Sequence, residues 1–262
     1  AVLTPQEVDE FFEIVRGLKE AGKAIVFITH KLHEILAISD RISVLRQGRI
    51  TGEGDPKNLD EEKLAEMMVG RHVSFSVDKA IAEPGPEMLR LDAVTMLNDT
   101  DDKVLDNVSF TVRSGEIVGV AGVQGNGQTE LVEVITGLTR QNAGRIFFSG
   151  EDISHASVRE RHRQGMAHIP EDRHRMGMVD KFTIAENMVL NSYYDEEYAA
   201  PLGSINWPHV HETAAAFCVD FDVRTPSVFL PGGSLSGGNQ QKMVVARELE
   251  RQTRLVVASQ PT

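Results

Sequence analysis

The feature that most constrains this chain is a glycine-rich string, G-V-Q-G-N-G-Q-T, at residues 122–129. It matches the phosphate-binding pattern G-x-x-x-x-G-K-[ST] at every fixed position except the lysine, which is replaced by Gln128. Glycines in such a loop let consecutive backbone N–H groups turn inward around an anion at a helix N-terminus. An apolar run precedes the string and a helical pattern follows it. This context disfavours the alternative, a tight turn that binds no ligand.

The string supplies the first predicted binding residues. Thr129 offers the hydroxyl that binds Mg²⁺ in loops of this kind, and Gln128 donates hydrogen bonds but carries no charge. The predicted nucleotide-binding residues of the loop are Gly122, Gly125, Asn126, Gly127, Gln128 and Thr129.

A second string, L-S-G-G-N-Q-Q-K at residues 235–242, predicts another glycine-led helix N-terminus with a serine hydroxyl. Two such anion sites in one unit disfavour the alternative of a loop that only caps a helix. Here the chain resembles the ATP-binding subunits of ABC transporters, whose signature sequence is this string. The resemblance implies an α/β P-loop NTPase fold of the ABC ATPase type, with a helical subdomain between residues 171 and 233. The signature residues with an implied nucleotide role are Ser236, Gly237, Gly238 and Gln240.

The resemblance covers nearly the whole chain. I-P-E-D-R at residues 169–173 stands at the Q-loop position, with Glu171 in place of glutamine. The run 256–262 aligns with the Walker B strand, where Ser259 and Gln260 replace the metal-associated aspartate and the general-base glutamate. Residues 1–7 resemble a D-loop, although Thr4 occupies its usual aspartate position. The resemblance makes His30 the switch histidine, a catalytic residue that would contact the γ-phosphate and the attacking water.

Three of the departures, Gln128, Ser259 and Gln260, fall on one nucleotide site. Hydrolysis needs a positive clamp, a held Mg²⁺ and an oriented water. Each of the three replacements weakens one of these requirements. Loss of the general base alone costs roughly 10²–10⁴-fold in rate. The hypothesis is that this P-loop binds Mg·ATP but hardly hydrolyses it, with Glu171 partly replacing the missing metal ligand.

The predicted organisation has three parts. Residues 1–70 are the C-terminal part of a first cassette, 71–87 are a linker, and 88–262 are a second cassette truncated after its Walker B strand. A short apolar run at 24–28 predicts a buried parallel strand, and the runs at 116–121 and 255–258 each predict a buried strand. The signature would then complete a site on the first cassette, whose P-loop lies outside this sequence.

Composition limits the partners. With 27 basic and 39 acidic residues the net charge is −12, so no broad surface for a nucleic-acid backbone is expected. One cysteine excludes an internal disulfide, and no apolar run approaches the ~20 residues of a membrane span. These features indicate a reducing compartment, the cytoplasm.

Two surface groups have open interpretations. Arg159, Arg161, His162 and Arg163 form a basic cluster on a predicted helix, which is more often a solvated face than an RNA site. The large aromatic residues of the helical subdomain serve either in the core or in docking a membrane partner. They are Tyr193, Tyr194, Trp207, Phe217 and Phe221.

The predicted function is that of an ATP-binding, energy-coupling subunit of an importer for simple sugars or nucleosides. It would lie on the cytoplasmic face of the cell membrane as a peripheral subunit. Its partners would be permease subunits, the other cassette of the same chain or a second copy, and indirectly a solute-binding protein. The parent would be an ATPase, although this stretch alone would be inactive. The alternatives are a soluble twin-cassette ATPase acting on ribosomes or nucleic acid, and a non-catalytic nucleotide sensor.

Overall fold

A computed structural model describes residues 5–46, 48–72, 83–123, 125–200 and 203–260. The chain divides into two compact units, Ala1–Ile81 and Ala82–Thr262. Most of the predicted linker, together with residues 1–4 of the predicted D-loop, lies outside the described residues.

The first unit is built from short amphipathic elements. In chain order they are α1 (Pro5–Glu20), α2 (Leu32–Ile38), β1 (Ile42–Arg46), β2 (Arg49–Gly54) and α3 (Glu61–Val69). The strands form an antiparallel hairpin. Asp60 caps α3 by accepting from the Lys63 backbone N–H at 2.7 Å, and Gly70 ends the helix in the left-handed conformation. Ile42, Val44 and Leu64 form the small core.

The predicted buried strand at residues 24–28 is wrong. The segment is neither helix nor strand, and Val26 and Ile28 are each 90% exposed. A buried parallel strand needs hydrogen-bonded neighbours, and within the described residues none pairs with this segment. Among the described residues, its apolar side chains therefore have no sheet against which to be buried.

The second unit contains the remaining elements. They are β3 (Glu87–Leu97), β4 (Lys103–Arg113), α4 (Gln128–Thr136), β5 (Ala143–Phe148), β6 (Glu151–Asp152), α5 (Val158–Arg163), β7 (Met166–Ile169), α6 (Ile184–Met188), β8 (Ala199–Ala200), β9 (Ser204–Ile205), α7 (Trp207–Asp220), α8 (Gly237–Leu249) and β10 (Leu255–Ala258). An antiparallel sheet has the order β4-β3-β5-β6, and β7 pairs in parallel with β10 from Met166↔Leu255 to Ile169↔Ala258.

Two cores hold this unit together. The first lies between the antiparallel sheet and α4, and includes Leu91, Val94, Val134, Ile146 and Phe148. The second lies among α6, α7 and α8, and includes Ile184, Met188, Val210, Phe217 and Met243. The predicted α/β fold with a helical subdomain is therefore confirmed, and Phe217 is a core residue.

The basic cluster on α5 is not simply a solvated face. Arg161 is 2% exposed, and its guanidinium donates to backbone carbonyls that include those of Val134 (2.6 Å) and Ile135 (2.7 Å) near the end of α4. Burial lowers the pKa of Arg161 to about 10. A capping box formed by Ser157 and Glu160 begins α5 and fixes the direction from which Arg161 enters. For Arg161 the sequence interpretation was wrong, and its role is to hold the end of the helix that follows the glycine loop.

The predicted strand at residues 116–121 is also wrong. The segment is neither helix nor strand, and Ile117 is 80% and Val120 57% exposed. The described residues provide no strand that pairs with it, and β10 pairs on one edge only, with β7. The β10 strand is itself confirmed, but Val256 and Ala258 are exposed, so it is only partly buried.

No described helix combines the length and the apolar character that crossing a membrane requires.

Candidate functional site

A cavity of about 910 Å³ opens in the second unit beside the glycine loop. Its walls come from the start of β3, the end of β4, the segment 114–122, the first two turns of α4, Glu171 in the loop after β7, and residues 254–260 in and around β10. The predicted site residues that line it are Gly122, Gly125, Gln128, Thr129, Glu171, Ser259 and Gln260. The structure therefore brings together residues from three separate parts of the sequence.

Two glycines shape the loop. Gly125 and Gly127 have φ angles of 91° and 94°, a conformation that favours glycine. A Cβ on Gly127 would lie 2.6 Å from the backbone oxygen of Val104, so the loop packs directly on the backbone of β4. Gly127 is the N-cap of α4, and the helix therefore begins with its free N–H groups at the loop, as anion binding requires.

Gln128 folds back against the start of the loop. A Cβ on Gly122 would lie 2.2 Å from Nε2 of Gln128, so the carboxamide lies directly against that glycine. The amide can donate hydrogen bonds to an anion in the cavity. It cannot supply the positive charge that lysine brings to this position in the complete pattern.

The opposite wall is positioned by the parallel pairing of β7 and β10. The pairing continues one residue beyond the strands, because the Ser259 N–H donates to the Ile169 carbonyl at 2.9 Å. Gln260 then adopts a φ of 43°, and its Nε2 donates to Oε1 of Glu171 at 2.8 Å. Parallel strands end at the same edge of a sheet, and this is why residues 89 positions apart in sequence form one contact.

The donor set fits phosphates better than a metal ion. The loop offers backbone N–H groups and the Thr129 hydroxyl, and Glu171 supplies a carboxylate to the same cavity. Within the described ranges, no group of three or more histidine, cysteine, aspartate or glutamate residues is placed to hold a metal. Among the predicted site residues in the cavity, Thr129 and Glu171 suit Mg²⁺, an ion that takes few protein ligands when phosphates supply others, and Glu116 adds a second carboxylate to the lining.

The signature string forms a separate feature. Ser236 is the N-cap of α8, and its Oγ accepts from Nδ2 of Asn239 at 3.0 Å. Gly237, Gly238 and Gln240 make up the first turn of the helix. None of these signature residues lines the cavity beside the glycine loop.

The partners that hold this turn are Arg173, Asp222 and Arg224, which lie outside the signature string and were not among the predicted site residues. Oδ1 of Asn239 accepts from the backbone N–H of Arg224 at 2.9 Å, and Lys242 pairs with Asp222 at 2.6 Å. Gln240 is 4% exposed and accepts from Nε of Arg173 at 3.0 Å. The sequence signal for these contacts is the unbroken polar run N-Q-Q-K inside a helix. Polar side chains that face the protein interior need hydrogen-bond partners, so such a run predicts that partners exist.

His30 lies in the first unit and is exposed. It follows the segment 24–28 directly, and Oγ1 of the preceding Thr29 donates to Glu34 at 3.3 Å in the first turn of α2. Its catalytic role stays a prediction.

A glycine loop at a helix N-terminus, facing the ends of two parallel strands, defines the class of α/β P-loop nucleotide-binding proteins. Comparison with known proteins narrows this class. The profile of the ABC transporter family matches residues 105–262, more than half of the chain, and the chain belongs to that family.

Curated relatives align over the whole chain. The guanosine import ATP-binding protein NupO of Bacillus subtilis is 42% identical over 262 residues, which cover 100% of this chain and 51% of the relative. The glucose import ATP-binding protein TsgD13 of Haloferax volcanii is 40% identical, covering 100% and 48%. Ribose import ATP-binding protein RbsA 2 of Rhizobium johnstonii is 35% identical, covering 100% and 50%. The chain thus spans about half the length of the relatives that it matches.

Solved structures support the fold alone. An ATP-binding cassette in a dimeric, post-hydrolysis state with ADP and Pi is similar with a TM-score of 0.55 at 19% identity. The similarity covers 67% of this chain and 75% of that one. A nucleotide-free cassette from an ABC transporter has a TM-score of 0.53 at 22% identity, covering 68% and 70%.

Proposed function

We propose that this chain is part of the ATP-binding, energy-coupling subunit of an ABC importer for simple sugars or nucleosides. The observation that carries the proposal is the cavity that gathers the loop residues Gly122, Gly125, Gln128 and Thr129 with residues of two other segments, Glu171, Ser259 and Gln260. The names of the relatives, which describe guanosine, glucose and ribose import, support the solute class. On this proposal the partners are permease subunits and, indirectly, a solute-binding protein, and the subunit is peripheral on the cytoplasmic face of the membrane.

The P-loop of this chain is proposed to bind Mg·ATP and to hydrolyse it poorly. Bound Mg·ATP would supply the phosphoryl chemistry. The loop glycines would present backbone N–H groups to its phosphates, with Thr129 and Glu171 as the residues for Mg²⁺. Gln128 would donate hydrogen bonds to a phosphate but would supply no positive charge. Gln260, whose amide already donates to Glu171, lacks the carboxylate that a general base needs.

The same family relationship supports an assignment of the parts of this chain to two cassettes and two nucleotide sites. We propose that 1–70, 71–87 and 88–262 are the end of one cassette, a linker and most of a second cassette. The first turn of α8, with Ser236, Gly237, Gly238 and Gln240, would complete a nucleotide site on another cassette, of the same chain or of a second copy. His30 would act at that site, which would be the catalytically active one.

The test is a calorimetric titration of the chain with Mg·ATP, with hydrogen exchange of residues 122–129 as the structural readout. We expect saturable binding, slower exchange in the loop, and phosphate release no faster than in a protein-free control. Gln128→Lys should tighten binding about tenfold, because it adds one charge-assisted contact to a phosphate. The matched control Gln128→Leu removes the donors without adding charge and should weaken binding.

Two results would overturn the proposal. A folded chain that neither binds Mg·ATP nor gains protection at 122–129 would remove the nucleotide site. Rapid phosphate release by this chain would contradict the assignment of the site as poorly hydrolytic.

A further inference from the structure

β10 has an unpaired edge along one wall of the cavity. The backbone N–H groups of Leu255 and Ser259 donate to carbonyls within residues 165–169, on the side of β7. Successive residues of a strand direct their backbone groups to opposite sides, so the N–H groups of Val256 and Ala258 point away from β7. No strand among the described residues pairs with this outer edge of β10. The edge therefore offers donors and acceptors to a further strand.

The cavity runs along this outer edge. Residues 254–260 line it over their whole length, and most of the segment 114–122 contributes a second wall. Seven residues of extended chain span about 20 Å, so the cavity continues well beyond the glycine loop. Its walls away from the loop are mainly apolar, and they include Met88, Phe110, Val112, Ile117, Leu131 and Val257. Phosphates do not need such walls, whereas an extended apolar segment fits them.

The first unit carries a segment with the matching properties. Residues 24–28 are apolar without interruption. Phe27 packs against Phe11 of α1 with ring centroids 6.0 Å apart, whereas Val26 and Ile28 are each 90% exposed. Inward and outward side chains thus alternate, as they do in an extended strand. Among the described residues no strand pairs with this segment, so its backbone groups are available for pairing.

The occupant indicated by these two features is a second copy of the chain. Strands that are apolar on both faces are typical of parallel sheets covered on both sides, and β7 and β10 already form a parallel pair. Addition of a strand to an exposed edge is a general mode of association. Where the strand comes from an identical chain, reciprocal exchange closes a symmetric dimer and pairs the edge and the segment of both copies.

We propose that two copies of this chain form a dimer in which residues 24–28 of each copy enter the cavity of the other and pair with the outer edge of β10. The backbone of the entering segment bonds to the N–H groups of Val256 and Ala258, and the exposed side chains of its Val26 and Ile28 leave water for the apolar walls. This contact needs no nucleotide, so it is independent of the function proposed above. Because each copy carries a net charge of −12, repulsion opposes the dimer and added salt should strengthen it.

The dimer is tested by sedimentation of the chain over a wide range of concentration. We expect twice the mass of one chain at high concentration, and association about 100-fold weaker for Val26→Asp, because that carboxylate would enter an apolar cavity. Leu45→Asp is the matched control, since Leu45 is 68% exposed in β1 of the same unit and lies outside the segment. It should leave association unchanged. A chain that stays monomeric, or equal association of the two variants, would overturn the proposal.

A variant of β10 tests the other side of the contact. Val256→Pro removes an outward N–H and keeps the hydrogen bonds to β7, because proline is tolerated where the N–H of an edge strand faces solvent. It should prevent association as Val26→Asp does, and association as strong as that of the native chain would contradict pairing at this edge. Urea unfolding shows whether each variant keeps its fold, and Val26→Asp still decides the proposal if Val256→Pro does not.

Hydrogen exchange without nucleotide locates the contact. In the native dimer, the amides of Val256 and Ala258 should exchange more slowly than in Val26→Asp, together with the amides of residues 24–28. Equal rates at Val256 and Ala258 in the two proteins would show that the copies associate through another surface, which would overturn the proposal.

Discussion

Gln260 donates a hydrogen bond from Nε2 to Oε1 of Glu171 over 2.8 Å, which joins the residues beyond β10 to the loop beyond β7. The complete family pattern has these residue types reversed, with glutamine in the Q-loop and glutamate after the Walker B strand. The exchange preserves one amide and one carboxylate at the contact. The two departures, which look independent in the sequence, are therefore one structural unit.

The first prediction concerns this pair. Gln260→Glu alone sets two carboxylates against each other and should lower the free energy of unfolding by roughly half a kcal/mol in low salt, because like charges at an exposed contact repel weakly. The combined exchange Glu171→Gln with Gln260→Glu restores an amide–carboxylate bond and should recover the native value. Urea unfolding at low and at high salt measures both effects.

In 1 M salt the deficit of the single variant should shrink, because the Debye length falls to about 3 Å. An exchange variant no more stable than Gln260→Glu alone would show that the two residues do not act as a pair.

The second prediction concerns the glycine loop. Gly127→Ala should destabilise the protein by about 3 kcal/mol, because a left-handed φ is combined with a collision against the Val104 carbonyl. Gly125→Ala is the matched control, with a similar φ of 91° but nothing within 4 Å of its added Cβ, and should cost about 1 kcal/mol. Equal losses in urea unfolding would show that the close approach to β4 has no energetic consequence.

The third prediction concerns pH. Burial, with a smaller contribution from Arg251 and Arg247, lowers the pKa of His162 from 6.5 to about 4. The NH1 group of Arg251 lies against Nδ1 of this imidazole, and Nε2 is buried without a partner among the described residues. Between these two pKa values the unfolded chain binds the proton more readily, so stability should be complete above pH 6.5 and fall as the pH drops towards 4.

The expected loss assigned to His162 is about 2 kcal/mol, reduced from the full linkage value because the imidazole keeps some contact with solvent. Burial also lowers the pKa of His168, which adds a loss of the same sign. The relevant measurement is therefore the difference in urea unfolding between the native chain and His162→Gln from pH 7 to pH 4. An identical pH dependence in both proteins would contradict the assignment to His162.

Local signals predicted local structure well. The helical pattern predicted after the glycine string is α4, which follows the string directly. Contacts that form only in the tertiary fold were harder to predict from the sequence. Arg161 looked like one member of a solvated basic cluster, because its acceptors are backbone carbonyls that no sequence pattern displays.

The sequence predicted which residues form the candidate site, but it did not predict the contacts between them. The sequence placed Glu171 and Gln260 at matching family positions, but the bond between them depends on the register of β7 against β10. The contact of Arg173 with Gln240 similarly depends on the turn Arg173–Gly177 packing against α8. Short apolar runs were also weak predictors of buried strands, because composition shows that a segment suits a sheet but not whether a pairing strand exists.

The last prediction tests that point on the segment 116–121. Val120 is 57% exposed, whereas Val134 in α4 is fully buried at 0%. Val134→Ala should cost about 2 kcal/mol, because it removes buried methyl groups from a packed core. Val120→Ala should change the free energy of unfolding by less than about 0.5 kcal/mol, as surface substitutions usually do. Urea unfolding of the two variants makes the comparison, and a loss at Val120 as large as that at Val134 would mean that this segment is packed as a buried strand after all.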